Sequence, residues 1–219
     1  LTHPHPDHLD GLVAVAKNFR IGEFWEGWPT RVEGLYADLL RALPSGVIRR
    51  RCGRGFLHRE GDVSISFLHP EIRAAEVERN ALARDLYPRA STAQVERNAP
   101  PAPVAALARD LYPRASTAEV DPRAKPGAPV AAGNDSSLVI RIALGRTAFL
   151  LTGDIGAATE RELLGAGLDL GSTVLKAGHH GSASSTSAAF LAAVQPKAVL
   201  VSVGEGNTYG FPSPEVLER

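Results

Sequence analysis

The 219-residue chain has the length of a single domain and an ordinary globular composition, 44% hydrophobic and 22% charged, which excludes wholesale disorder. Its formal net charge is zero, so no global field recruits nucleic acid, and any polyanion must be held by a local patch or by metal ions. One cysteine, Cys52, excludes an intrachain disulfide and a Cys-rich zinc site, no run reaches the ~20 apolar residues of a membrane span, and none of the residues is expected to act as a signal peptide.

Leu1 to Gly11 reads Leu-Thr-His-Pro-His-Pro-Asp-His-Leu-Asp-Gly and sets His3, His5, Asp7 and His8 within six residues. His3 and His5 are two apart, so an extended backbone projects both to one side, and Pro4 and Pro6 favour that backbone. Asp7 and His8 are expected on the turn into a helix over Leu9–Phe19, with Leu9, Leu12, Val13 and Ala16 on one face. Neutral imidazole suits zinc, and mixed nitrogen and oxygen sites also accept manganese or iron. Such spacing favours a metal site over an exposed polar loop. The chain contains no methionine and the motif begins at residue 3. We therefore expect a fragment, with further strands of its first sheet lying N-terminally.

Further along, Ile21–Trp28 reads as a short strand and loop in which Trp25 and Trp28 are core or edge aromatics. Arg31–Leu43 reads as a helix, and Val47–Arg51 and Gly55–His58 as strands around a turn. Cys52 lies in the basic stretch Arg49–Arg54, which would lower its pKa, but a spectator role is the expectation. Asp62–Leu68 alternates as a half-buried strand ending at His69-Pro70. Residues 71–133 differ: Leu-Ala-Arg-Asp-Leu-Tyr-Pro-Arg-Ala-Ser-Thr-Ala occurs at 82–93 and again at 107–118, and Val-Glu-Arg-Asn-Ala at 77–81 and 95–99. Two Pro-rich copies are too few for a solenoid, so this stretch is expected to be a disordered surface insertion between residues 1–70 and 134–219.

After Asn134-Asp135-Ser136-Ser137, Leu138–Ala143 and Thr147–Thr152 read as a hairpin delivering Gly153-Asp154. Ala157–Leu164 is a predicted helix, Thr173–Ala177 a strand running into Gly178-His179-His180-Gly181-Ser182, Ala188–Val194 a helix and Lys197–Val203 a strand. A new helix starts near Pro212-Ser213-Pro214-Glu215. Strands alternating with helices around a β-rich middle imply an α+β fold of two mixed sheets covered by helices.

Asp154, where a strand gives way to a glycine turn, suits a metal-bridging carboxylate. Adjacent residues rarely ligate one ion, so His179 and His180 are expected to divide into one ligand and one histidine for support or proton transfer. His69, at a strand end, is either a further ligand or a hydrogen-bonded cap, and His58 is not a candidate. Two divalent cations roughly 3.5–4 Å apart would acidify a shared water and clamp a scissile ester, with Asp7 ligating one ion and orienting the nucleophile.

His-x-His-x-Asp-His at 3–8 resembles the signature of the metallo-β-lactamase superfamily. In order, Asn134–Val139, Phe149–Asp154, Leu175–Ser182 and Asn207–Pro214 look like the C-terminal β-lactamase-like domain of the ComEC/Rec2 competence family, and Leu68-His69-Pro70 is similar to its segment between the halves. The resemblance implies a metallo-β-lactamase-like αββα sandwich and two divalent ions, zinc or manganese. The implied activity is metal-dependent hydrolysis of DNA phosphodiesters during DNA uptake. It implies His3, His5, Asp7, His8, Asp154 and one of His179 and His180, with His179 preferred, as metal residues, and Asn134, Ser136 and Ser137 on the pocket wall. His69 is added to the metal residues by its position, Asp7 and His180 are the catalytic candidates, and Ser182 joins the substrate side. DNA is the implied partner, with a membrane channel domain of the same natural protein. The implied setting is a bacterial soluble domain, either extracytoplasmic beside that channel or cytoplasmic. Many relatives carry Asp at the position of His5, which would alter metal preference. A hydrolase of another ester, thioester or lactam, and an inactive truncated remnant, are the alternatives.

Overall fold

The computed structural model describes residues 1–27, 34–71 and 133–219. The repeats of 71–133, apart from Glu71 and Gly133, and Trp28 lie outside them. The described elements in chain order are α1 (Pro6–Asn18), β1 (Glu23–Glu26), α2 (Gly34–Ala42), β2 (Ile48–Arg51), β3 (Leu57–Glu60), β4 (Val63–His69), β5 (Val139–Leu144), β6 (Thr147–Leu151), α3 (Ala157–Gly165), β7 (Val174–Lys176), α4 (Ala188–Val194), β8 (Ala198–Leu200) and α5 (Pro214–Glu218).

Helix α1 begins three residues before the expected Leu9, which draws Asp7 and His8 into its first turn. The reason is Pro6 at the first helical position, where a missing N–H costs nothing and the fixed φ is already helical. Leu9 and Ala16 are buried with Phe24, Tyr36 and Leu39, so α1 and α2 cover a two-stranded parallel sheet of β1 and β2. The predicted strands at 47–51 and 55–58 thus belong to different sheets: β2 pairs with β1, and β3 with β4.

The second sheet runs in the order β3-β4-β5-β6-β7-β8, antiparallel up to β6 and parallel from β6 to β8. Strand β4 shows how the layers meet. Phe67 joins Cys52 and Leu138, packed by Trp25 of β1, while the next residue, Leu68, joins Val139, Leu150, Leu163, Phe190 and Val194 under α3 and α4. Neighbouring side chains on a strand point to opposite faces, so the second sheet is buried by β1 on one side and by helices on the other. This is the expected αββα arrangement. The expected strand Lys197–Val203 is shorter, leaving the ladder after Leu200.

Strand direction places the site. Leu151, Lys176 and Leu200 are in register at the C-terminal ends of the parallel strands β6, β7 and β8. Strand β4 runs the same way as β6 because each is antiparallel to β5. The end of β4 (His69), the segment leading into β5 (residues 134–138) and the loops after β6, β7 and β8 therefore all emerge at one edge.

A candidate metal centre at the sheet edge

The opening segment is tied to that edge by the backbone, since Leu138 N–H donates to Thr2 O at 3.1 Å. His3 is buried, with Nδ1 3.1 Å from Ser137 Oγ and Nε2 3.9 Å from Asp154 Oδ2. The first turn of α1 carries His8, whose Nε2 is 3.2 Å from Asp154 Oδ2 and 3.6 Å from Asp7 Oδ2. From the far side, His180 Nε2 comes within 3.1 Å of Asp7 Oδ2 and 3.2 Å of Asp154 Oδ2. One ligand atom from each of Asp7, His8, Asp154 and His180 lies within 4.8 Å of the others. His3 borders this group, and His5 packs on His3 with ring centroids 4.5 Å apart.

The imidazole of His180 is oriented by Ser202. A carbonyl can only accept, so His180 Nδ1 donates to Ser202 O at 2.7 Å, and Nε2 is left to face two carboxylates. His3 Nε2, His180 Nε2 and Asp154 Oδ1 are all buried without a hydrogen-bond partner. One orphaned buried group costs about 1–3 kcal/mol, and a cation held by the cluster of Asp7, His8, Asp154 and His180 would relieve such a cost. Imidazole nitrogens and carboxylate oxygens in a mixed set fit zinc or manganese.

Electrostatics agree. Burial above all, then the charge of His8, holds the His3 pKa down to about 4, so its ring is neutral near pH 7. Burial opposes ionisation of Asp154, but the hydrogen bond and charge of His8, with the charges of His180 and His3, outweigh it and hold its pKa at about 2. The site thus sets the neutral imidazole of His3 beside a charged carboxylate, a pairing that suits metal binding.

The loops that carry these groups are narrowly determined. Gly153 has φ +55, and a Cβ there would lie 2.6 Å from Ser137 Cβ. Ser137 Oγ accepts from Asp154 N–H at 3.0 Å while touching His3, so one hydroxyl registers both ligands. His179 and His180 adopt φ of 44° and 55°, a left-handed backbone held by His179 N–H to Gly153 O and by Ser182 N–H to His179 O.

Other predicted residues lie around the cluster rather than in it. His179 receives Asn134 Nδ2 at 3.1 Å and packs edge-on against Phe211. His69 is buried, donates from Nδ1 to Ser137 O at 3.0 Å and turns Nε2 towards Glu162, 3.8 Å away. Ser136 donates to Gly133 O, and Ser182 Oγ pairs with Ser184 Oγ. Cys52 is fully buried, and burial lifts its pKa to about 12 against the pull of the N-terminal amine and Arg50, so the basic neighbours do not make it reactive.

Sequence reasoning passed over Thr2, Asp135 and Lys176. Thr2 Oγ1 is 3.2 Å from His3 Nδ1 and 3.3 Å from His8 Nδ1. Asp135 Oδ1 accepts from Gly156 N–H and Thr159 Oγ1 ahead of and within α3. Lys176 Nζ donates to Gly153 O and Ala177 O, pinning the loop of Asp154 to that of His180. A charged residue closing the apolar strand Val174-Leu175 was its only sequence signal.

Residues 1–205 match the Lactamase_B family, the metallo-beta-lactamase superfamily. The chain belongs to that superfamily, whose members are generally hydrolytic and typically bind divalent metals. Among curated proteins it is similar to ComE operon protein 3 of Bacillus subtilis, 39% identical over 88 residues, 40% of this chain and 11% of that protein. It is also similar to competence protein ComA of Neisseria gonorrhoeae, 42% identical over 87 residues (39% of the chain, 13% of the relative). Recombination protein 2 of Haemophilus influenzae is 40% identical over 89 residues, again 40% of the chain and 11% of the relative. The matched stretch spans only about an eighth or less of each relative's length.

Proposed function

We propose that this chain is a divalent-metal-dependent phosphodiesterase that cleaves DNA, working as one domain of a larger competence-type protein. The observation that carries the metal reading is the convergence of His180 Nε2 on Asp7 and Asp154 while Ser202 holds its other nitrogen. The names of the relatives support DNA as the substrate.

In this reading His3, His8, Asp154 and His180 hold the ions, two of zinc or manganese, with His5 beside His3. The bound ions would supply positive charge to the phosphoryl group and acidify a water nucleophile. The two carboxylates divide the remaining work by exposure. The Asp154 side chain is 3% exposed and fixed by its backbone N–H to Ser137, whereas that of Asp7 is 57% exposed. Asp154 therefore binds and holds geometry, and Asp7, open to solvent, orients the attacking water and takes its proton. His180 sits between them with Nε2 facing both carboxylates. Asn134 positions His179 on the pocket wall.

No helix among the described residues is long and apolar enough to cross a membrane. A channel domain elsewhere in the natural protein, with this domain on its extracytoplasmic side, completes the proposal.

The test is cleavage of single- and double-stranded DNA by chelator-treated protein reloaded with Mn²⁺ or Zn²⁺, with Asp7→Ala alongside. Metal-dependent cutting that Asp7→Ala abolishes is expected. Cutting indifferent to that substitution rejects Asp7 as the residue that orients and deprotonates the water, and hydrolysis of a thioester or lactam with DNA left intact rejects the substrate.

A further inference from the structure

We propose that Tyr209 and Phe211 form a stacking site for a base of the DNA strand whose phosphodiester lies at the metal centre, an assignment that rests on the function proposed above. The loop between β8 and α5 is rigidly built. Asn207 Oδ1 accepts from Phe211 N–H at 3.0 Å, and its Nδ2 donates to Phe211 O at 2.8 Å and to Gly204 O at 3.3 Å. One side chain closes the turn from both ends, and Gly210, at φ +70, completes it.

Tyr209 at the tip of this turn is 79% exposed, the most exposed large hydrophobic residue among those described. Its ring is stacked on Phe211, centroids 5.7 Å apart at an interplanar angle of 18°. Phe211 covers one face, so the other is open to solvent. Phe211 in turn meets the edge of His179 at 5.6 Å, and His179 lies 6.3 Å from the ring of His180. Ser213 N–H donates to Gly181 O at 2.9 Å, which fastens the aromatic loop to the loop bearing His180.

A continuous row of rings thus runs from His180 at the metal cluster through His179 and Phe211 to Tyr209 at the surface. An exposed parallel aromatic pair contributes little to folding, and a π-face accepts any base. The site therefore grips a single strand without reading its sequence. It also holds the strand beside the metal centre, where cleavage takes place.

Three substrates separate this assignment from the reading beneath it: a single-stranded oligonucleotide, the same strand with abasic positions, and methyl 4-nitrophenyl phosphate, a phosphodiester with no base. Tyr209→Ala is expected to raise KM for the oligonucleotide ~5- to 100-fold with kcat nearly unchanged, and to leave methyl 4-nitrophenyl phosphate unaffected. Tyr209→Phe and Tyr209→Trp restore the low KM. Abasic positions cost the wild type the same factor and cost Tyr209→Ala nothing more. Fluorescence anisotropy of labelled oligonucleotide on chelator-treated protein gives the same comparison without catalysis. Equal affinity of wild type and Tyr209→Ala for the normal strand overturns the stacking site. Failure of the wild type and every variant to cleave either the oligonucleotide or methyl 4-nitrophenyl phosphate, with the binding difference intact, overturns the phosphodiesterase reading and leaves the stacking site standing.

Discussion

His179 and His180 are consecutive, yet their rings serve different neighbours. Ser202 O holds Nδ1 of His180 at 2.7 Å and aims Nε2 at Asp7 and Asp154, while His179 is taken up by Asn134 and Phe211. The left-handed backbone at both residues swings the side chains apart, so only the second reaches the carboxylates. The family resemblance favours His179 as the ligand, whereas the residues alone leave the pair open. The geometry instead favours His180.

The first prediction follows. His180→Ala should weaken Mn²⁺ or Zn²⁺ binding by ~100-fold or more, because it removes a group aimed into the cluster. His179→Ala should change affinity by no more than about threefold, since it touches no ligand atom. Isothermal titration of chelator-treated protein reads both, and the reverse order would restore His179 to the site.

Gly153 supplies the second. Its φ of +55 and the 2.6 Å approach to Ser137 Cβ leave no room for a side chain. Gly153→Ala should cost ~2–4 kcal/mol in urea unfolding and also weaken metal binding, because Ser137 touches His3 and bonds to the backbone of Asp154. Gly165→Ala, which meets nothing within 4 Å at the end of α3, is the control and should be neutral or mildly stabilising.

The elements that declare themselves by local chemistry were legible before folding. The His3–His8 motif, the alternation before His69, the hairpin about Gly145 and the helix at 188–194 each carry a period or a turn residue. What was illegible depends on long-range register. Whether His69 faces the cluster or Glu162 is decided by Ser137 O, 68 residues away. The Lys176 clamp exists only because β6 and β7 are parallel and aligned, a pairing that no short window of sequence contains.

The third prediction concerns pH. Arg50 grips Glu23 through Nε and Nη2 at 2.7 and 2.9 Å, bridging β2 to β1. Those hydrogen bonds, against a smaller effect of burial and with help from Trp25, hold the Glu23 pKa at about 2 rather than its ordinary 4.5. A depressed carboxylate contributes stability fully above its unfolded value and loses it as pH falls through the folded one. Both side chains are about a third exposed, so the contribution is below ~1 kcal/mol. Glu23→Gln should be less stable than wild type by that amount at pH 7, and the gap should close between about pH 4.5 and 2 in denaturant titrations. A gap unchanged across this range would show that the pair contributes nothing through its charge.

Glu160 gives the last. It is almost fully buried on α3, and its two oxygens accept from the backbone N–H groups of Thr186 and Ser187. That turn clamps Gly178 from both sides: Thr186 Oγ1 accepts from Gly178 N–H at 3.1 Å, and Ser185 Oγ donates to Gly178 O at 2.7 Å. Gly178 itself has no space for a side chain, its Cβ position being 2.9 Å from Ile155 O. Two residues later comes His180, so the carboxylate of Glu160 sets the base from which that imidazole is aimed. Glu160→Gln keeps the shape but turns an amide N–H₂ towards a backbone donor, leaving buried groups unpaired. It should cost ~2–4 kcal/mol in urea unfolding. Because the strain at His179 and His180 is held by this clamp, the same variant should also weaken Mn²⁺ binding by ~10-fold while remaining folded. Full metal affinity in a destabilised Glu160→Gln protein would mean that the clamp supports the fold alone and that the imidazole is aimed from elsewhere.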